Sequence, residues 1–196
     1  TNFYGFLLDS NSNNAIVNNI ARSNASHGFY LKSNLNNSLV NNLAISNSSQ
    51  GFMLESETNA ALTNNSANSN NNGFYINSGS GNIFSNNYAT SNQYNGFTLN
   101  TSSNNTFINN FFTSNTRGVN MFTSSNNKFS NNIFNSNSVS GIQMESSSNN
   151  LFAQNDIKSN SQYQIYFETD SQADTFTANN IQTSSTNIDS GVYNVS

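Results

Sequence analysis

The chain has 196 residues, of which 34% are hydrophobic, 7% are charged, about a quarter are asparagine and none is cysteine. A net charge of -4 with only five Lys or Arg excludes binding to nucleic acid through phosphate neutralisation, which needs clustered cations. Without cysteine there is neither a disulfide framework nor a thiolate metal site, and no apolar run is long enough for a membrane-spanning helix.

So polar a chain would ordinarily lack the apolar surface to offset the entropy of ordering. Its repeat overrides that expectation. From Gly5 the sequence restarts every 22–23 residues, at Gly28, Gly51, Gly73, Gly96, Gly118, Gly141 and, with the glycine lost, Gln164. A fixed period of this length marks a solenoid. Numbered from the glycine, positions 2 and 4 are apolar, from Phe6 and Leu8 to Ile165 and Phe167, and position 6 is Ser or Thr from Ser10 to Thr169. Alternation at period two predicts a strand with positions 2, 4 and 6 on one face. Position 12 (Ile16, Leu39, Leu62, Phe84, Phe107, Phe129, Phe152, then Phe176 after a one-residue slip) and position 17 (Ala21 to Ala89, then Phe112, Phe134, Ile157, Ile181) predict two more short strands. The change from alanine to phenylalanine at position 17 predicts that the core widens or repacks near the fifth coil.

Asparagine recurs at positions 10, 15 and 20, as in Asn14, Asn19 and Asn24. It suits a corner because it tolerates positive φ and bonds nearby backbone, and amides stacked one strand spacing apart can form a ladder. Glycine is read as the tightest bend. The fold class expected is therefore all-β: a single right-handed parallel β-helix over residues 1–196, with about eight coils, three short strands per coil and asparagine ladders at the turns. At one strand spacing per coil the rod is roughly 40 Å long. Residues 164–196 read as degraded terminal coils, with 191–193 closing them, and the chain as a mature product or part of a longer one.

The string Gly-apolar-x-apolar-x-Ser-x-x-Asn-Asn-x-apolar-x-Asn-Asn, as in Gly118 to Asn132, resembles the repeat of NosD-type and pectin-lyase-like β-helix proteins. That resemblance implies the fold. For function it implies a range, from polysaccharide lyases and glycosidases to noncatalytic envelope proteins, and fold does not choose among them.

Chemistry-bearing residues are few. Glu145 and Glu168 share position 5 in adjacent coils, with Asp170 and Asp174 following. Stacked carboxylates can bind Ca²⁺, share a proton or serve glycoside hydrolysis, or simply be solvated members of an outward row. His27 reads as a turn residue rather than a metal ligand, Met121 and Met144 as core fillers rather than copper ligands, and no histidine stands by to activate a serine. No cofactor and no metal are expected. Position 3 carries an outward ribbon of Leu7, Tyr30, Met53 and Tyr75 and returns to Tyr166, a surface for a partner or for stacked sugar rings. Asn36 and Asn104, at position 9, are the better of several glycosylation tripeptides. The main reading is a non-enzymatic extracellular or cell-surface spacer, adhesin stalk or self-assembling subunit, with self-association through the ribbon or the N-terminal edge. The alternative is a module that binds or cleaves surface glycans around Tyr166, Glu145 and Glu168.

Overall fold

A computed structural model describes residues 2–168 and 170–182 and, for the backbone, 194–195. The described chain forms three parallel sheets of eight, nine and eight strands, every strand pairing with its equivalent one coil away. The third coil is typical. Phe52–Glu55 lies in the first sheet, Ala61–Thr63 in the second and Ser66–Asn68 in the third. Register follows the repeat, with Phe29, Phe52, Phe74 and Phe97 in line. The expected three-sided solenoid is what forms.

Apolar positions stack into columns because each side chain meets its own equivalent at every rung. Phe6, Phe29, Phe52, Phe74 and Phe97 lie 4.7–5.3 Å apart, centroid to centroid. A second column runs through Phe84, Phe107, Phe129, Phe152 and Phe176 at 4.3–5.0 Å. Near the fifth coil the core repacks. Phe112 and Phe134 replace alanine at position 17, and Val119 and Ile142 replace phenylalanine at position 2, all fully buried. Volume added from one sheet is removed from another, as a close-packed interior requires.

The corners differ from expectation in three ways. First, the ladder asparagines are not the residues with positive φ. That conformation belongs to the residue before each of them, such as Asn36, Asn41 and Ser46 ahead of Asn37, Asn42 and Asn47. Second, position 6 is not an inward strand position: Ser10, Ser33, Ser56, Ser78, Thr101 and Thr123 all have positive φ and are exposed. Third, the repeat glycines have ordinary φ; Gly81 is the one glycine among the described residues with φ above zero. Glycine is needed at position 1 for room, since a Cβ there would lie 2.5–2.8 Å from the main-chain oxygen of the next coil.

The ladder asparagines turn inward and satisfy corner backbone. Asn65 donates from its main-chain N (2.9 Å) and its Nδ2 (3.1 Å) to Asn87 Oδ1, and its Nδ2 also donates to Leu39 O at 2.9 Å. Where the ladder asparagines stand, corner polar groups are thus paired, which removes the ~1–3 kcal/mol that each orphan would cost. A fourth ladder at position 7 was not expected. Main-chain N–H groups of Gly79, Ser102, Ser124 and Ser147 donate to the hydroxyls of Ser102, Ser124, Ser147 and Ser171.

The last coil shows why its glycine is dispensable. Asn160 has no asparagine above it among the described residues. Gln164 takes that place, accepting from Asn160 Nδ2 at 2.8 Å and donating back to Asn160 O at 3.3 Å. The slip is absorbed around Asp170, which has positive φ. Asn194–Val195 pairs beside Thr175 and Phe176. Thr169 and residues 191–193 lie outside the described residues.

Candidate functional site on the first sheet

The first sheet presents three outward rows. Positions 3 and 5 alternate with the buried positions 2 and 4. The residue before each glycine forms the third row, in which Tyr4, His27, Gln50, Arg117 and Tyr163 are partly exposed and Asn72, Asn95 and Ser140 are buried. Leu7, Tyr30, Met53, Tyr75, Thr98, Asn120, Gln143 and Tyr166 are in continuous register along the position 3 row.

In the N-terminal half this face closes on itself. Tyr4 stacks on His27 (5.6 Å), and Tyr30 packs against both, at 5.3 and 5.1 Å. Tyr30 donates its hydroxyl hydrogen to Glu55 Oε2. Burial, reinforced by Glu55, raises the Tyr30 pKa above its ordinary value. His27 Nδ1 accepts from the Gln50 main-chain N–H at 3.3 Å, which fixes the neutral tautomer with hydrogen on Nε2. Burial lowers the His27 pKa despite opposing contributions from Gln50 and Glu55. Met53 and Tyr75 are half-buried and Leu7 is exposed.

In the C-terminal half polar groups form a chain. Arg117 Nε donates to Gln143 Oε1, and Gln143 Nε2 donates to Glu168 Oε1 at 2.7 Å. Arginine can only donate, so it sets the amide orientation and aims Gln143 Nε2 at the carboxylate. Glu168 is also in hydrogen-bond contact with Glu145. Burial first, then Glu145, raises the Glu168 pKa, against Arg117 and Gln143, which lower it. Tyr166, two residues before Glu168 in the same coil, packs against Tyr163 with ring centroids 4.7 Å apart. The structure therefore brings Glu145, Glu168 and Tyr166 together, whereas Asp170 sits exposed in the turn beyond. Arg117, Gln143 and Tyr163 were not expected. Arg117 and Tyr163 lie in the residue-before-glycine row, which the two-residue period does not mark as outward.

Asn36 and Asn104 are exposed, with φ of 57° and 61°. Asn24 and Asn47 are buried in a ladder, so they cannot serve as glycan acceptors.

The family described as right-handed β-helix region matches residues 50–196, and the chain belongs to it. A family described as periplasmic copper-binding protein (NosD) matches residues 1–95. No curated protein matches the sequence. Among solved structures, the A-module of the Azotobacter vinelandii mannuronan C-5 epimerase AlgE4 is similar with a TM-score of 0.88 and 20% identity, over 94% of this chain and 58% of that one. The A-module of AlgE6 from the same organism gives 0.80 and 19% over 86% and 51%. The periplasmic alginate epimerase AlgG gives 0.80 and 18% over 91% and 48%. The chain thus spans about half the length of these structures.

These comparisons correct the main functional expectation. The reading as a non-enzymatic spacer, stalk or envelope subunit rested on the scarcity of chemistry-bearing residues and the variability of the outward rows, and the solved structures similar to this fold are epimerases. The physical reason is that periodicity reports inward side chains, whereas chemistry sits on the outward ones. Copper does not fit the residues present. No group of three or more His, Cys, Asp or Glu that could hold a metal ion occurs among the described residues. Met121 and Met144 are fully buried in the core, and His27 is the chain's one histidine.

Proposed function

We propose that this chain is a carbohydrate-active β-helix module that holds an acidic polysaccharide along the first sheet, over the coils bearing Arg117, Gln143, Glu145, Tyr163, Tyr166 and Glu168. The observation that carries this reading is the polar chain from Arg117 through Gln143 to the Glu145–Glu168 pair, bordered by two tyrosines. Each part has a task. Among the described residues Arg117 uses Nε on Gln143, and its Nη groups present the fork that suits a uronate carboxylate. The tyrosines offer amphipathic surface to a sugar ring. Glu168, its pKa raised by burial and by Glu145, is the group placed to exchange a proton beside the bound sugar, as general acid–base chemistry requires. Coils about 4.8 Å apart provide a regularly spaced row of contacts for a polymer lying along the axis. The named relatives act on alginate or mannuronan, and the descriptions of NosD and AlgG as periplasmic support an envelope or extracellular location.

Calorimetric titration with mannuronan oligosaccharides tests this. Binding is expected and weakens about 10–100-fold in Arg117→Ala, the cost of losing a charge-assisted hydrogen bond. No binding, or equal binding by wild type and variant, overturns it. Self-association through Leu7, Tyr30, Met53 and Tyr75 is a separate proposal, supported by the half-buried apolar members of that row. A concentration-independent monomer in sedimentation removes it.

A further inference from the structure

We propose that Glu57 and Asp174 are proton-carrying members of the position 10 asparagine ladder, so that the solenoid takes up protons at these two rungs on acidification and is stabilised by them. Both acids stand where the ladder lacks an asparagine. Residue 60 is alanine, and Glu57 reaches across from position 7 into the gap, its Oε1 accepting from Asn37 Nδ2 at 3.0 Å. Asp174 occupies the eighth rung directly, its Oδ1 accepting from Asn150 N at 2.7 Å and Nδ2 at 3.0 Å. Glu57 is fully buried and Asp174 is 5% exposed.

In each case one carboxyl oxygen does the work of an asparagine Oδ1. The other, Glu57 Oε2 and Asp174 Oδ2, is buried with no hydrogen-bond partner. In complete rungs an amide nitrogen stands beside the accepting oxygen and donates to a main-chain carbonyl of the coil below, as Asn105 does to Gly79 O and Asn127 to Ser102 O. At Glu57 and Asp174 no amide nitrogen stands at that place, and no donor reaches the second carboxyl oxygen. A carboxylic acid O–H donates in place of the missing N–H and completes the rung.

Among the described residues no charged side chain competes. Residues 34–37 and 79–82 around Glu57, and 147–150 beneath Asp174, contain none. Glu55 faces outward to Tyr30, and Asp170 is exposed. Burial raises both pKa values against the amides of Asn37 and Asn34 for Glu57 and of Asn150 for Asp174, the latter to about 6. A carboxyl whose folded value is raised makes the folded state bind more protons than the unfolded one. Stability then falls as pH rises, for Asp174 between 3.8 and about 6, and is flat above.

The test compares wild type with Glu57→Gln, Asp174→Asn and the pair, by thermal midpoint at pH 4 and pH 7.5. An amide completes the rung at any pH. The paired variant is expected to melt about 4 °C or more above wild type at pH 7.5, with the gap closing at pH 4. His27 and Glu168 are common to both proteins and cancel in the difference. A gap that is the same at both pH values, or a variant less stable at pH 7.5, overturns the proposal. Should Glu57→Gln not fold, carboxyl carbon-13 titration of the wild type decides, since only nine side-chain carboxyls are present. Glu57 and Asp174 are expected to titrate above the ordinary carboxylate range, and ordinary midpoints for both overturn the proposal.

Discussion

Tyr30 and Tyr166 occupy the same position of the second and eighth coils and meet opposite surroundings. Tyr30 is enclosed by Tyr4 and His27 and spends its hydroxyl on Glu55. Tyr166 borders Tyr163 and a line of polar groups ending in a carboxyl pair. Backbone, register and outward direction are shared, so the difference lies in the row before the glycines. Tyr4 and His27 fill that row in the N-terminal half with rings that pack against position 3. Arg117 and Tyr163 stand in it in the C-terminal half, where Tyr163 packs on Tyr166 and the arginine organises an amide and an acid. One solenoid face thus carries a self-satisfied region and a region with chemistry to offer, without any change of fold.

The largest effect is expected where the halves join. Phe97 is fully buried and packs on Phe74, Phe84, Phe107 and Phe112. Phe97→Ala should cost about 3–5 kcal/mol, measured by chemical denaturation, and should destabilise both halves if they share one core. Next, Glu168→Gln should abolish the pH dependence of glycan affinity. In the wild type, acidification protonates Glu168, whose pKa is raised, and removes repulsion of a uronate, so binding tightens as pH falls. Tyr30→Phe should leave affinity unchanged at every pH. The N-terminal half responds to acid in the other direction. His27 has a lowered pKa, so the unfolded chain protonates first and the stability that His27 lends is lost as pH falls below 6.5. Protection factors of the amides around residues 27–30, corrected for the intrinsic pH dependence of exchange, should fall at pH 5 relative to pH 7.5, and equal protection contradicts the buried neutral imidazole. Smallest of all, Met53→Ala, at a half-buried outward position, should change stability by no more than about 1 kcal/mol and leave glycan affinity alone.

The inward half of this structure was legible because each buried position must match its own copy in the next coil. Phe84, Phe107 and Phe129 announce a column, and Asn87, Asn110 and Asn132 a ladder. Corner conformations were harder to read, since both residues of an Asn-Asn pair suit a turn and only packing decides which one goes inward. The position 7 ladder was hidden because Ser102, Ser124 and Ser147 sit among other serines. At the candidate site, Glu145 and Glu168 were readable as rung neighbours, but Arg117 was not, since the glycine corner shifts its row out of the two-residue period. Function was misjudged for the same reason: outward residues vary, and variation was taken as absence of chemistry.

Chemical-shift mapping with an isotope-labelled chain and a mannuronan oligosaccharide tests the central claim most directly. The account predicts saturable shifts at Arg117, Gln143, Tyr163, Tyr166 and Glu168, with Tyr30, Met53 and Tyr75 unmoved. Shifts centred on His27 and Tyr30, or no shifts at all, would contradict it.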